Sequence, residues 1–163
     1  MKGDPKVIEY LQKGLRSELT AINQYMLHSR MLEDWGIDKL AGFEGDEAMD
    51  EMRHADRFIK RILFLEALPN LQDLDPLRIG ENVKEVLEND RAAEKEAIDL
   101  YREAVEVCEK AGDYASRDLF SELVADEEGH FDFLDTQLGL IESMGYQNYL
   151  QSQAGDAGSG GGE

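Results

Sequence analysis

The chain repeats its chemistry at an offset of 76 positions, and that repeat limits what it can fold into. Glu18 corresponds to Glu94, Tyr25 to Tyr101, and Asp50-Glu51-x-x-His54 to Asp126-Glu127-x-x-His130. Within each half, the lone Glu lies 33 residues before the Glu of the Glu-x-x-His motif. A Glu and a His three apart share one face of a helix. Two helical hairpins carrying these sets can converge four carboxylates and two imidazoles between four helices. A purely structural helix does not need that set, whereas a site for two metal ions does.

Apolar periodicity supplies the helices. Leu11, Leu15, Leu19, Ile22 and Met26 recur at spacings of three and four and predict a helix over 5–35, opened by Asp4-Pro5 and ended by Gly36. Met49, Met52, Phe58, Ile62 and Leu65 predict a second over 38–65. The spacing predicts a third over 82–111, closed by Gly112, a fourth over 113–144, closed by Gly145, and a short amphipathic piece over 146–153. Between the second and third lies a loop, 66–81, with Pro69, Pro76 and Gly80. The second helix should span about 40 Å, and the loop can reach about 50 Å when extended. The loop can therefore return along the whole bundle and set helices two and three parallel, which relates the two hairpins by a two-fold axis and brings the repeated sets to one centre. The expected fold is all-α: a four-helix bundle with a long crossover between helices two and three. The domain is expected over 1–153, with a flexible Gly-rich tail over 154–163.

Composition narrows the function. A chain of 163 residues is long enough for one domain with a real core. Its net charge of −19 repels phosphate backbones, which argues against a nucleic-acid partner, and attracts cations. Apolar runs such as Ile62-Leu63-Phe64-Leu65 are too short to span a bilayer. The first residues lack the apolar run of a signal peptide, and the single Cys108 excludes an internal disulfide, so a reducing cytoplasm is the expected location.

The candidate ligands are Glu18, Glu51, His54, Glu94, Glu127 and His130. Carboxylate oxygen with imidazole nitrogen suits iron, manganese or zinc, and four carboxylates balance two divalent cations. A single Glu-x-x-His is commonly a solvated pair; two copies, each with its upstream Glu, are far more specific. By the pseudo-symmetry, Glu51 and Glu127 are the expected bridges between the metals. Glu18 with His54 completes one position and Glu94 with His130 the other. Asp50 and Asp126 are candidates to accept a hydrogen bond from a ligand imidazole, with an exposed acid as the alternative. Tyr25 and Tyr101 can reach a ligand carboxylate or simply pack in the core. His28 has no counterpart, since position 104 is Ala, and reads as a surface or packing histidine. Met52 is about 100° from Glu51 around the helix and points away from the centre, with Met49 beside it. Ordinary packing or a partner subunit both account for that outward seam.

Several segments resemble one family, bacterioferritin: Glu18-Leu-Thr-Ala-Ile-Asn-Gln-Tyr25, Asp50-Glu-Met-Arg-His-Ala-Asp56, Leu65-Glu-Ala-Leu-Pro-Asn-Leu-Gln-Asp-Leu74, Asp126-Glu-Glu-Gly-His130 and Met144-Gly-Tyr-Gln-Asn-Tyr-Leu150. The Glu plus Glu-x-x-His pattern is already known as the di-metal signature of ferritin-like bundles, so assigning it here applies an established rule. The resemblance implies a ferritin-like fold with a short fifth helix and a shell of twenty-four subunits. It implies iron storage, with a di-iron ferroxidase centre made by the six ligands and using dioxygen or hydrogen peroxide. It also implies haem b at a two-fold dimer interface, ligated by Met52 from each subunit and lined by Leu19, Ile22, Asn23, Met26 and Met49, and release of iron through an electron donor such as a ferredoxin. Glu47 and Asp50 are implied guides for ferrous ions. Asp46, where many relatives carry His, and the Gly-rich tail depart from the family pattern.

Two rivals remain at this stage. A non-storing di-iron or di-manganese oxidase or peroxidase, similar to rubrerythrin, would ordinarily add a Cys-x-x-Cys iron site, which one Cys cannot supply. For a helical interaction or DNA-coating protein, the charge argues against DNA, and ligands placed within one bundle argue against sites shared between subunits.

Overall fold

The computed structural model describes residues 1–156. These form five helices and no strand: α1 Pro5–Asp34, α2 Asp38–Phe64, α3 Val83–Ala111, α4 Tyr114–Met144 and α5 Tyr146–Gln153. The boundaries fall within one residue of those read from periodicity. Local chemistry explains them. Asp4 Oδ1 accepts from the Lys6 and Val7 amides with Pro5 in the first turn, Asn82 accepts from the Glu85 amide, and Asp113 accepts from the Ser116 amide. Gly112 ends α3 at φ 73°, a left-handed conformation that an L side chain rarely adopts.

α1 packs along α2 and α3 along α4, forming two hairpins. The hairpins meet α1 to α3 and α2 to α4, both antiparallel. Tyr10 reaches Glu103 and Gln24 reaches Asp90, while Arg61 reaches Asp113 and His54 reaches Asp126. Helices α2 and α3 are consequently parallel, as the crossover length predicts.

A row of side chains spaced four apart on α1 holds that crossover. Gln12 donates to Leu68 O (2.8 Å) and accepts from the Asn70 amide (2.9 Å). Arg16 pairs with Asp75 at 2.7 Å. Thr20 Oγ1 accepts from the Asp75 amide (2.9 Å), Gln24 Oε1 from the Arg78 amide (3.1 Å) and His28 Nε2 from the Gly80 amide (3.0 Å). An irregular segment has no ladder to pair its backbone donors, so Asn70 Oδ1 takes the Gln72 and Asp73 amides and α1 supplies acceptors for those of Asn70, Asp75, Arg78 and Gly80.

Two apolar clusters fill the bundle ends. One joins Val7, Leu11, Leu15, Phe58, Ile62, Phe120 and Leu123. The other joins Leu32, Leu40, Val83, Leu87, Leu134 and Leu138 and is closed by α5, whose buried Tyr149 donates to Gln137 at 2.8 Å. Of the expected tail 154–163, residues 157–163 lie outside the described residues. Gly155 donates its amide to Gly36 O at 3.3 Å, so the chain packs back onto the α1–α2 turn beyond α5.

Candidate metal centre

Helix register brings all six sequence-predicted ligands to the middle of the bundle, between the two apolar ends. Glu18, Glu51, His54, Glu94 and Glu127 are buried, and His130 is nearly so. The donor atoms form two groups, each within 4.8 Å: Glu18, Glu51, His54 and Glu127, and Glu47, Glu51, Glu94 and His130. Glu51 and Glu127 belong to the space between the two imidazoles. Glu51 puts Oε2 3.7 Å from His54 Nδ1 and Oε1 3.1 Å from His130 Nδ1. Glu127 puts Oε1 3.0 Å from His54 Nδ1 and Oε2 3.4 Å from His130 Nδ1. Glu18 Oε1 lies 3.5 Å from His54 Nδ1, and Glu94 Oε1 lies 3.7 Å from His130 Nδ1. The rings lie 6.3 Å apart and nearly parallel.

The supports cross between motifs. His54 Nε2 faces Asp126 Oδ2 at 3.1 Å, and His130 Nε2 faces Asp50 Oδ2 at 3.6 Å. Each outer ring nitrogen therefore meets the acid of the opposite hairpin, which directs Nδ1 inward. The phenols cross as well. Tyr25 on α1 donates to Glu94 on α3, and Tyr101 on α3 donates to Glu18 on α1.

Electrostatics mark the centre as one built around cations. Buried side-chain atoms without a hydrogen-bond partner include Glu18 Oε2, Glu51 Oε1, Glu94 Oε2, both Glu127 oxygens, and Nδ1 of His54 and His130. Burial, then the Glu51 and Glu127 charges, raise the Glu18 carboxyl well above the ordinary range; burial and Glu127 do the same to Glu94. Burial opposes charge on His54 and His130, but the surrounding carboxylates outweigh it and raise both imidazoles. Burial likewise works against an ionised Glu127, yet the neighbouring Glu94, His130 and His54 side chains outweigh it and hold Glu127 low. Without metal, protons stand in for cations. An inward-facing O/N donor set with orphaned oxygens fits two divalent ions.

Two openings reach the centre. A cavity of about 500 Å³ on the α2–α4 side is lined by Asp50, Arg53, His54, Arg57, Asp126 and His130. Another, of about 290 Å³, runs under the crossover between α1 and α3 to Glu51, Glu94 and Glu127.

Sequence reasoning missed part of the surroundings. Glu47, read only as a guide for ions, sits with its Oε2 2.7 Å from His130 Nδ1 as a seventh donor. Its spacing of four from Glu51, on one helical face, carried that signal. Glu44 and Asp90 were not singled out, and both are fully buried. With His28 they form a third group of close donors. His28 is a packing residue here and not a surface one: Nδ1 faces Asp90 Oδ1 at 2.8 Å while Nε2 accepts from Gly80, leaving neither nitrogen for a metal. Burial and Asp90 raise Glu44 well above the usual carboxylate range, so a proton neutralises this group. Met52, the haem-ligand expectation, points outward and is 51% exposed, with Met26 and Met49 also exposed.

Comparison with known proteins agrees with this geometry. Residues 8–144 match the Ferritin family, the Ferritin-like domain. The chain is 55% identical to a bacterioferritin of Brucella melitensis over 96% of this chain and 98% of the relative. It is 56% identical to a bacterioferritin of Rhodobacter capsulatus over 91% and 92%. A solved structure of Rhodobacter capsulatus bacterioferritin, described with a metal-free dinuclear site and its haem iron in a crystallographic special position, superposes with a TM-score of 0.96. That match has 53% identity and covers 98% of this chain and 99% of the other.

Proposed function

The chain belongs to the bacterioferritin family of ferritin-like proteins, and on that premise we propose that it oxidises ferrous iron at the centre between its hairpins and stores the ferric product. The observation that carries this reading is the placement of Glu51 and Glu127, each offering one oxygen toward each imidazole. That arrangement suits two adjacent ions sharing two bridges. Glu18 and His54 would complete one position, and Glu94 and His130 the other, with Glu47 beside the second.

Ferrous ions are the substrate, drawn by the acidic surface. On binding they displace the protons held by Glu18, Glu94 and the two imidazoles. Each ion gives up one electron. Two electrons and two protons convert one dioxygen to hydrogen peroxide, or one hydrogen peroxide to two waters. Proximity lets both electrons reach one oxidant molecule, so no one-electron radical leaves. The hard carboxylates favour the ferric state. Tyr25 and Tyr101 hold Glu94 and Glu18 in place, Asp126 holds the His54 imidazole, and Asp50 faces that of His130.

Storage needs an enclosure, and the proposed assembly is a homo-oligomer of twenty-four chains in the cytoplasm. The outward face of Met26, Met49 and Met52 is an apolar surface of the kind a second copy covers. Met52 from each of two copies would hold haem b, since a thioether ligates haem iron. A special position lies on a symmetry element, so the haem described for the Rhodobacter capsulatus relative supports a shared site. Bound there, haem would supply an electron path for reductive release, with a ferredoxin-type donor outside.

Two measurements test this together: particle mass, and ferrous titration in air followed by ferric absorbance. The expected result is a particle of many subunits with a fast phase near two irons per chain. A monomer or dimer with the same fast phase would leave an oxidase or peroxidase that does not store iron. Absence of the fast phase would defeat the enzyme reading.

A further inference from the structure

The 76-residue pseudo-symmetry that maps Glu18 onto Glu94 breaks down in the surroundings of Glu94. Around Glu94 lie Gln24, His28, Glu44 and Asp90; their counterparts are Leu100, Ala104, Phe120 and Gly14. The apolar set packs without buried polar groups: Phe120 and Ala104 are fully buried, and a Cβ on Gly14 would stand 2.6 Å from the Phe58 ring. The same backbone arrangement therefore has a fully apolar solution, and the polar set needs its own explanation.

Its hydrogen bonds all run in one direction, from the crossover inward. The Arg78 amide donates to Gln24 Oε1 (3.1 Å) and Gln24 Nε2 donates to Asp90 Oδ1 (2.9 Å). The Gly80 amide donates to His28 Nε2 (3.0 Å), which fixes the remaining ring proton on Nδ1, facing the same Asp90 oxygen at 2.8 Å. The His28 bridge is buried and the Gln24 bridge becomes so at its inner end, and both end on an acid one helical turn before Glu94. Between them on α1, Tyr25 grips Glu94 itself. Gly80 lies close against the first turn of α3, where a Cβ would stand 2.4 Å from the Val86 amide nitrogen and only glycine fits. On the mirror side Gly14 offers no side chain, and Glu18 is held by the Tyr101 bond beside the His54 imidazole.

We infer that Gln24 and His28 are positioning residues that fasten the crossover loop to Asp90 and thereby set the Glu94–His130 metal position, leaving the Glu18–His54 position untouched. This rests on the dinuclear reading above and adds an asymmetry to it. Neither residue touches the ions. They act through the register of α3, so a change of loop contact at residues 78–80 reaches one metal position selectively.

The test loads the assembled protein with limiting Co²⁺ and measures the occupancy of each position by cobalt-edge anomalous diffraction. Hydrogen exchange at the Arg78 and Gly80 amides is followed alongside. His28→Ala and Gln24→Leu install the residues found at the mirror positions. The account expects each to lower the Glu94–His130 occupancy relative to the other position by about tenfold, as for lost support of a metal ligand, with faster exchange at the matching amide. His28→Gln can accept from Gly80 and donate to Asp90, and should restore the ratio. Should His28→Ala fail to assemble, Gln24→Leu and His28→Gln give the same comparison. An unchanged ratio, an equal loss at both positions, or a His28→Gln indistinguishable from His28→Ala would overturn the inference. Absence of Co²⁺ from both positions in the unaltered protein would instead overturn the dinuclear reading.

Discussion

On one side of the metal centre the helices meet through Gly14, Leu100, Ala104, Phe120 and Leu123; on the other, 76 positions away, they meet through Asp90, Gln24, His28, Glu44 and Glu47. The helix pairing is the same, yet one side is held by shape and the other by hydrogen bonds through Gln24 and His28 to Asp90, with Glu44 kept neutral beside them. The farther ends agree again: Val7 with Val83, Leu11 with Leu87, Ile62 with Leu138. The difference shows that stability alone did not select the polar side. Burying acids and an imidazole is costly, and apolar residues of suitable size fill the equivalent space on the opposite side of the centre. Of the two sets, the polar one hydrogen-bonds the crossover, through Gln24 and His28.

The harshest challenge to this comparison is to plant one side's chemistry on the other. Phe120→Glu puts a carboxyl where no donor waits, and should cost about 3–5 kcal/mol, read as a collapse of thermal stability. A variant as stable as the parent would show the two sides to be interchangeable. Next come the mirror ligands. Glu18→Ala and Glu94→Ala should each slow the fast ferrous oxidation by more than about tenfold, in stopped-flow absorbance, because both positions must be filled despite their unequal surroundings. If only one mattered, the centre would not act as a pair.

Acidity sharpens the comparison less drastically. The folded-state values of His54 and His130 are raised, so their stabilisation is full below the unfolded value of 6.5 and is lost as pH rises. Glu18 and Glu94 are raised above 4.5 and act in the same direction. The metal-free protein should therefore lose stability as pH rises above about 4.5, and further as it rises above about 6.5, and the gain in Tm on adding Zn²⁺ should widen with that rise. A gain that shrank would contradict the proton-for-metal exchange. The smallest effect is expected from the phenols. Tyr25→Phe and Tyr101→Phe each remove one hydrogen bond, worth about 1–2 kcal/mol, and calorimetry should find Tyr25→Phe the milder of the two, since Glu94 keeps the Asp90 clamp on its helix.

Most of the fold could be read from sequence because three signals agreed: the apolar period of each helix, the Pro/Gly interruptions, and the length of the crossover. The six donors were readable because fixed spacing on a helix determines a shared face, and two copies made chance unlikely to produce it. The polar side was not readable for a related reason. Asp90, Glu44 and His28 come from three different helices, and a buried acid looks like a surface acid in a chain with 33% charged residues. His28 lacked a repeat partner, and that lack, taken as a sign of irrelevance, was the mark of the broken symmetry. The hydrogen bonds of α1 to the loop left no periodic signal beyond Gln12, Thr20, Gln24 and His28 at multiples of four, which passes for an ordinary polar stripe.

The most direct test of the central claim is iron-edge anomalous diffraction from crystals loaded with ferrous iron without oxygen. The account predicts two peaks per chain, one beside Glu18 and His54 and one beside Glu94 and His130, with Glu51 and Glu127 between them. A single peak, or strong peaks only outside this cradle, would contradict it.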